Sequence, residues 1–146
     1  VAREGGLGIT VHAGEADGAE NVRYAVEELK ASRIGHGVKS MESEAVLAML
    51  RQQSVLLELC PTSNVHTNTV NGIQNHPIRK LYEQGIYISV GDDDPITSRT
   101  RVSQELTVLQ NNFNFSLEEI KRVQHMGITA AFINDPKLRR KLLKLI

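Results

Sequence analysis

The sequence has a single cysteine, Cys60, so no disulfide can form within the chain. That shortage favours a reducing compartment. An excess of either charge is equally lacking: 17 acidic residues balance 17 basic ones. Without a basic stripe to track a phosphate backbone, nucleic-acid binding is excluded. Apolar runs stop after a few residues, far short of the ~20 that a membrane span needs. The 4 prolines and 11 glycines are scattered. They mark no linker, and one unit over residues 1–146 is expected. There is no internal repeat and no low-complexity segment. The chain opens Val1-Ala2-Arg3-Glu4, with neither an initiator Met nor a charged-then-apolar leader. The expectations drawn from this opening are a fragment or a processed start, and a cytoplasmic location.

What is present is an alternation of short apolar runs and helical periodicities. Gly8 to His12, Arg33 to Gly37, Val55 to Cys60 and Ile86 to Val90 are β-branched or aliphatic runs bounded by turn residues, and each predicts a buried strand. Between them, Asn21 to Ala31 carries Val22, Ala25, Val26 and Leu29 at helical spacing, and Glu42 to Gln53 carries Ala45, Val46, Met49 and Leu50 on one face. Ile78 to Gln84 predicts a short helix entered through Pro77. Thr62 to Gln74 predicts a polar loop. From Val102 onward the pattern is helical, with a capping box at Ser116 and Glu119 and a last helix from Asp135-Pro136 to Leu145. The order argues for an α/β protein with a parallel sheet and right-handed crossovers.

The reactive side chains obey a second pattern. His12, Glu15, His36, Cys60, Asp93 and Asp94 all fall at or just past the C-terminal end of a predicted strand. Ligands bind at that edge in parallel α/β folds. Imidazole and carboxylate are zinc ligands, so His12 and Asp93 form a candidate pair. Zinc brings the pKa of its water down to roughly 7. His36 is a candidate to orient that water, and Glu15 a candidate proton shuttle. Each residue also has a structural reading. His12 could be a hydrogen-bonded strand-end residue, and Glu15 could favour a helix N-terminus. Gly35-His36-Gly37 could be a tight turn, and Asp92-Asp93-Asp94-Pro95 a solvated acidic loop. Cys60 reads as a small buried residue. His66, His76 and His125 read as loop or surface histidines. Taken one by one, these readings leave the gathering on a single edge unexplained.

Thr10-Val-His-Ala-Gly-Glu15, Arg33-Ile-Gly-His-Gly37, Glu58-Leu-Cys-Pro-Thr-Ser-Asn64 and Asp93-Asp-Pro95 occur in order with fitting spacings. Together they resemble the adenosine deaminase family of metal-dependent amidohydrolases. The resemblance covers nearly the whole chain. It implies the C-terminal half of a (β/α)8 TIM barrel: the last four strands plus C-terminal helices. It also implies one zinc ion in the completed site, with His12 and Asp93 as ligands. Glu15 would protonate purine N1 and His36 would hold the attacking hydroxide, while Asp94 and Gly14 would contact the substrate. Adenosine would become inosine and ammonia.

Two departures accompany the resemblance. Gly91 and Asp92 stand where the family has Asn and then Ser or Thr. Pro95 anchors the register that makes Asp93 the ligand; the alternative register uses Asp92 and Asp93. The second departure is larger. The family's first strand carries a His-x-His pair of metal ligands, and no His-x-His occurs here. A barrel of this kind takes about 250 residues. The expected partner is therefore the N-terminal half of the same enzyme or a companion chain, beside a purine nucleoside substrate. Open apolar edges are expected at the first and fourth strands. Adenine or AMP deamination is a competing reading, against which the Cys60-Pro-Thr-Ser-Asn64 string weighs. A catalytically silent half-barrel that binds a partner or nucleoside is another.

Overall fold

A computed structural model describes residues 2 and 4–146; Val1 and Arg3 of the opening lie outside the described residues. The four apolar runs become β1 (Thr10–Ala13), β2 (Arg33–His36), β3 (Leu56–Leu59) and β4 (Tyr87–Val90). They form one sheet in the order β1-β2-β3-β4, parallel throughout. The crossovers contain α1 (Ala19–Glu27), α2 (Glu44–Gln53), then α3 (Pro61–His66) and α4 (Ile78–Glu83). Helices α5 (Val102–Phe113), α6 (Leu117–Ala130) and α7 (Pro136–Leu143) follow the last strand. The fold is the expected α/β half-barrel.

The core lies between the sheet and its helices. Ile34, Leu57, Leu59 and Ile88 from the strands meet Val22 and Val26 of α1 and Val46, Leu47 and Leu50 of α2, all almost fully buried. Each such side chain contributes about 1.5–3 kcal/mol through removal from water. Local signals set the helix ends. Ser43 starts α2 by accepting from the Val46 amide at 3.4 Å. Ser116 and Glu119 form the expected capping box, and Asp135 caps α7.

The structure departs from the sequence reading at identifiable places. Helix α1 stops at Glu27, short of Ala31, because the chain turns through Lys30 at φ 58° and the Ala31 amide bonds back to the Ala25 carbonyl. The stretch read as a polar loop begins with helix α3 and includes a 3-10 turn at Ile73–Asn75. Its composition argues against a helix, but Pro61 suits a first turn. The buried carboxylate of Glu105 on α5 accepts from the Thr62 amide at 3.1 Å and from the Thr100 hydroxyl at 2.8 Å. A tertiary cap thus does what local sequence does not. The outer strands of the sheet are β1 and β4, as expected, and their surroundings differ. Strand β1 hydrogen-bonds only with β2 among the described strands, whereas β4 has α6 packed against it. Gly127 permits that approach: a Cβ there would lie 3.2 Å from the Ser89 Cβ.

Candidate active site

The ends of β1, β2 and β4 carry the side chains that the sequence singled out. His12 lies within β1, His36 ends β2, and Asp93 lies just past β4. Register places His12 opposite Gly35 and Ala13 opposite His36. Gly35 has no side chain, and the His12 ring occupies the space: a Cβ on Gly35 would fall 2.9 Å from His12 Nδ1. The two imidazoles stand edge to face with centroids 5.0 Å apart. His36 and Asp93 both adopt left-handed backbone, at φ 64° and 57°. For residues other than glycine that conformation costs energy, and such positions cluster at functional sites. The two side chains approach one another: His36 Nε2 is 4.0 Å from Asp93 Oδ2.

One donor atom from each of His12, His36 and Asp93 lies within 4.8 Å of the others. Ligands on tetrahedral zinc at about 2 Å sit roughly 3.3 Å from each other. The cluster is therefore within a small side-chain adjustment of a metal site, and its imidazole and carboxylate donors suit a divalent transition ion. His12 and Asp93 are open on their outer sides, while His36 is buried.

Glu15 joins this group from the turn after β1. Its Oε2 lies 3.4 Å from His36 Nε2. Its Oε1 accepts from Asn64 Nδ2 at 3.2 Å and from the Thr67 hydroxyl at 3.1 Å. Clefts of about 370 and 270 Å³ both reach Glu15, the first lined by His12 and Gly14, the second by Lys39 and Thr67. Gly14 itself is packed tightly at φ 67°, with Val22 and the Gly37 backbone where a side chain would be. Asp94 is exposed, and its carboxylate closes its own turn. It accepts from the Ile96 amide, the Thr97 amide and the Thr97 hydroxyl at 3.0, 3.2 and 2.7 Å. Bonding to Thr97, and then to Ile96, holds it below the usual carboxylate range. Burial lowers the pKa of His36 below that of a free imidazole, against the opposing pull of Glu15 and Asp93. Burial, with the negative charges of Asp93, Glu105, Glu58 and Asp92, pushes the Cys60 thiol up to about 12. Cys60 is thus a buried side chain, as its sequence context suggested, and it lies outside the cluster of His12, His36 and Asp93.

The α3 segment supplies Ser63 and Asn64, residues of the Glu58-to-Asn64 string whose individual roles only the structure reveals. Ser63 donates to Asp93 Oδ2 at 2.6 Å, and Asn64, with none of its surface exposed, bonds both His36 and Glu15. Behind Asn64 lies His76, where the expectation is corrected. Read as a loop or surface histidine, it is only 4 % exposed, and its Nε2 is 3.1 Å from Asn64 Oδ1. The reason is the Pro77 turn, which carries His76 inward so that its Nδ1 accepts the Ile78 amide at 3.1 Å. The His-Pro pair at a helix entrance was the available signal. His66 and His125 are exposed as expected.

Against this geometry the likenesses to known proteins are consistent. A family model described as adenosine deaminase matches residues 1–146. An adenosine deaminase of Shewanella loihica is 41% identical over 133 residues, 91% of this chain and 40% of that protein. An adenine deaminase of Sinorhizobium fredii is 38% identical over 145 residues, 99% of this chain and 45% of that protein. Among solved structures, an adenine deaminase from Arthrobacter aurescens superposes with a TM-score of 0.93 at 30% identity, covering 98% of this chain and 43% of that one. A zinc-bound amidohydrolase from Burkholderia ambifaria gives 0.84 at 25% identity, covering 95% of this chain and 39% of that one. The chain spans less than half the length of these relatives. No helix among the described residues is long and apolar enough to cross a membrane. By sequence and by fold, the chain belongs to the adenosine deaminase family.

Proposed function

We propose that this chain supplies the C-terminal half of a zinc-dependent enzyme that hydrolyses adenosine to inosine and ammonia. The observation that carries the reading is the convergence of His12, Glu15, His36 and Asp93 from the ends of three strands. In this reading His12 and Asp93 are metal ligands. Zinc held between them would make hydroxide available near neutral pH, its water having a pKa of roughly 7. The chain's own side chains do the rest. His36, buried and uncharged, holds the attacking oxygen at its Nε2 side. Glu15, whose Oε2 faces that same nitrogen, carries a proton to purine N1 and so activates C6 for addition. Asp94 and Gly14 contact the purine. Once the oxygen has added to C6, the proton of that new hydroxyl passes to the amino nitrogen, the bond from C6 to that nitrogen breaks, and ammonia leaves behind a C6 carbonyl. The single-cysteine composition suits a cytoplasmic enzyme.

The relatives extend well beyond this chain, and we assign the remaining metal ligands and barrel strands to an N-terminal half. The barrel formed when this chain is joined to that half is called the completed barrel. The test is zinc content and ultraviolet-monitored deamination by the completed barrel and by this chain alone. Stoichiometric zinc with adenosine turnover only in the completed barrel is the expected result. Zinc without turnover on any purine would favour a silent binding module. Relatives named for adenine deamination stand at nearly the same identity as those named for adenosine. A panel of adenosine, adenine and AMP therefore decides the substrate, with adenosine expected from the Cys60-Pro-Thr-Ser-Asn64 string.

A further inference from the structure

A line of buried hydrogen bonds runs from the backbone of α4 to the candidate active site, and its polarity is fixed at the far end. The Ile78 amide can only donate, and it points at His76 Nδ1 across 3.1 Å. Neutral imidazole carries one proton, so with Nδ1 accepting, the proton is on Nε2. His76 Nε2 must then donate to the atom of Asn64 that it faces at 3.1 Å, which is Oδ1. This orients the Asn64 amide, leaving Nδ2 with two donor hydrogens. One goes to Glu15 Oε1 at 3.2 Å and the other to His36 Nδ1 at 3.1 Å. His36 Nδ1 is therefore an acceptor, and its proton resides on Nε2, the nitrogen that faces Glu15 and Asp93.

We propose that His76 and Asn64 are positioning residues that lock His36 as the Nε2–H tautomer, so that His36 meets the reacting centre as a hydrogen-bond donor and is barred from binding the metal. A ligating imidazole nitrogen needs a free lone pair, and the relay removes the one on Nε2. This separates the roles within a cluster whose distances alone do not, leaving His12 and Asp93 as ligands. The same Asn64 amide holds Glu15 Oε1, turning Oε2 toward His36. Both relay residues are buried, His76 beside the Phe113 ring at a centroid distance of 6.2 Å. The inference rests on the deaminase reading for its catalytic meaning, but the tautomer can be measured without activity.

The experiment uses the completed barrel with nitrogen-15 labelled histidine. Two-bond proton–nitrogen spectra report which ring nitrogen of His36 is protonated, with zinc present and after chelation. In the parent protein the expected pattern is protonated Nε2 and bare Nδ1 in both states. In Asn64→Asp, the carboxylate can only accept, so the proton should move to Nδ1. In His76→Phe the Asn64 amide loses its orienting donor, and kcat should fall by about 10- to 100-fold, the usual effect of removing a residue that orients a metal site. KM should move much less. His76→Gln, which keeps an amide donor near the Nε2 position, should recover most of that loss. A protonated Nδ1 on His36 in the parent protein overturns the proposal, even if every variant fails to fold. So does an unchanged tautomer in folded Asn64→Asp. Failure of the deaminase reading would appear differently, as the expected tautomer in a protein that turns over no purine.

Discussion

The His12 ring occupies the space that a side chain on Gly35 would fill, with Nδ1 2.9 Å and Cγ 3.1 Å from the missing Cβ. The glycine of the Gly-His-Gly string is therefore the floor under a proposed metal ligand in the neighbouring strand. In Gly35→Ala the imidazole must move. Overpacking of this kind costs about 1–3 kcal/mol. If the ring yields, the cost is taken from metal affinity, so zinc should bind about 10-fold or more weakly in a chelator competition on the completed barrel. Gly18→Ala, where a Cβ would meet only the tip of Glu42 at 3.2 Å, is the comparison. Equal zinc affinity in the two variants would detach Gly35 from the site.

Ser63 orients Asp93 in the same sense. Its hydroxyl donates to Asp93 Oδ2 at 2.6 Å from the first turn of α3. Removing a hydrogen bond that orients a ligand typically costs 10- to 100-fold in metal affinity. Ser63→Ala should fall in that range, Asp93→Ala should lose the metal, and Asp92→Ala should keep it. Loss of zinc in Asp92→Ala with retention in Asp93→Ala would mean that the register anchored on Pro95 is wrong.

Glu15 is held by Asn64 and Thr67 through one oxygen while the other faces His36. A glutamine there keeps the shape and can still accept from Asn64, but it cannot carry a proton. Glu15→Gln in the completed barrel should bind zinc normally and lose about 10²–10⁴-fold in turnover, the span of general acid–base contributions. Rapid-quench single-turnover assays would separate that loss from slowed product release. A rate near the parent's would remove Glu15 from the chemistry.

What the sequence disclosed and what it hid divide along a physical line. The strands were legible because β-branched runs such as Ile9-Thr10-Val11 sit between turn residues, and the site edge because His12, His36 and Asp93 fall at or just past the ends of those runs. Helix α3 was not legible. Its residues Thr62, Ser63 and Asn64 are poor helix formers, and the segment is held by a carboxylate 43 positions away, at Glu105. His76 was misread for a similar reason. Its burial depends on what lies behind α3, and a local window contains no trace of Asn64. The left-handed backbone at His36 and Asp93 was equally hidden, since neither residue type demands it. Residues that act by direct chemistry are recognisable by type. Those that orient them are ordinary residues, made informative by contacts distant in sequence.

His76 also ties acid stability to the relay. Burial first, and the neighbouring His36 second, lower its pKa from 6.5 to about 4. The folded protein therefore keeps His76 neutral at a pH where the unfolded chain has already taken up a proton. Above pH 6.5 both states are neutral and the full stability is present. As pH falls from 6.5 toward 4 the unfolded state gains a proton that the folded state refuses, and stability declines by up to about 1.4 kcal/mol per pH unit. The total lost is about 3 kcal/mol, and below pH 4 this group takes no more. Urea unfolding of the completed barrel at a series of pH values should show this decline, and His76→Gln, which has no imidazole to titrate, should decline less steeply over the same window. Parallel curves for the two proteins would mean that His76 is protonated in the fold at mildly acidic pH, in which case its Nδ1 would not be accepting from Ile78.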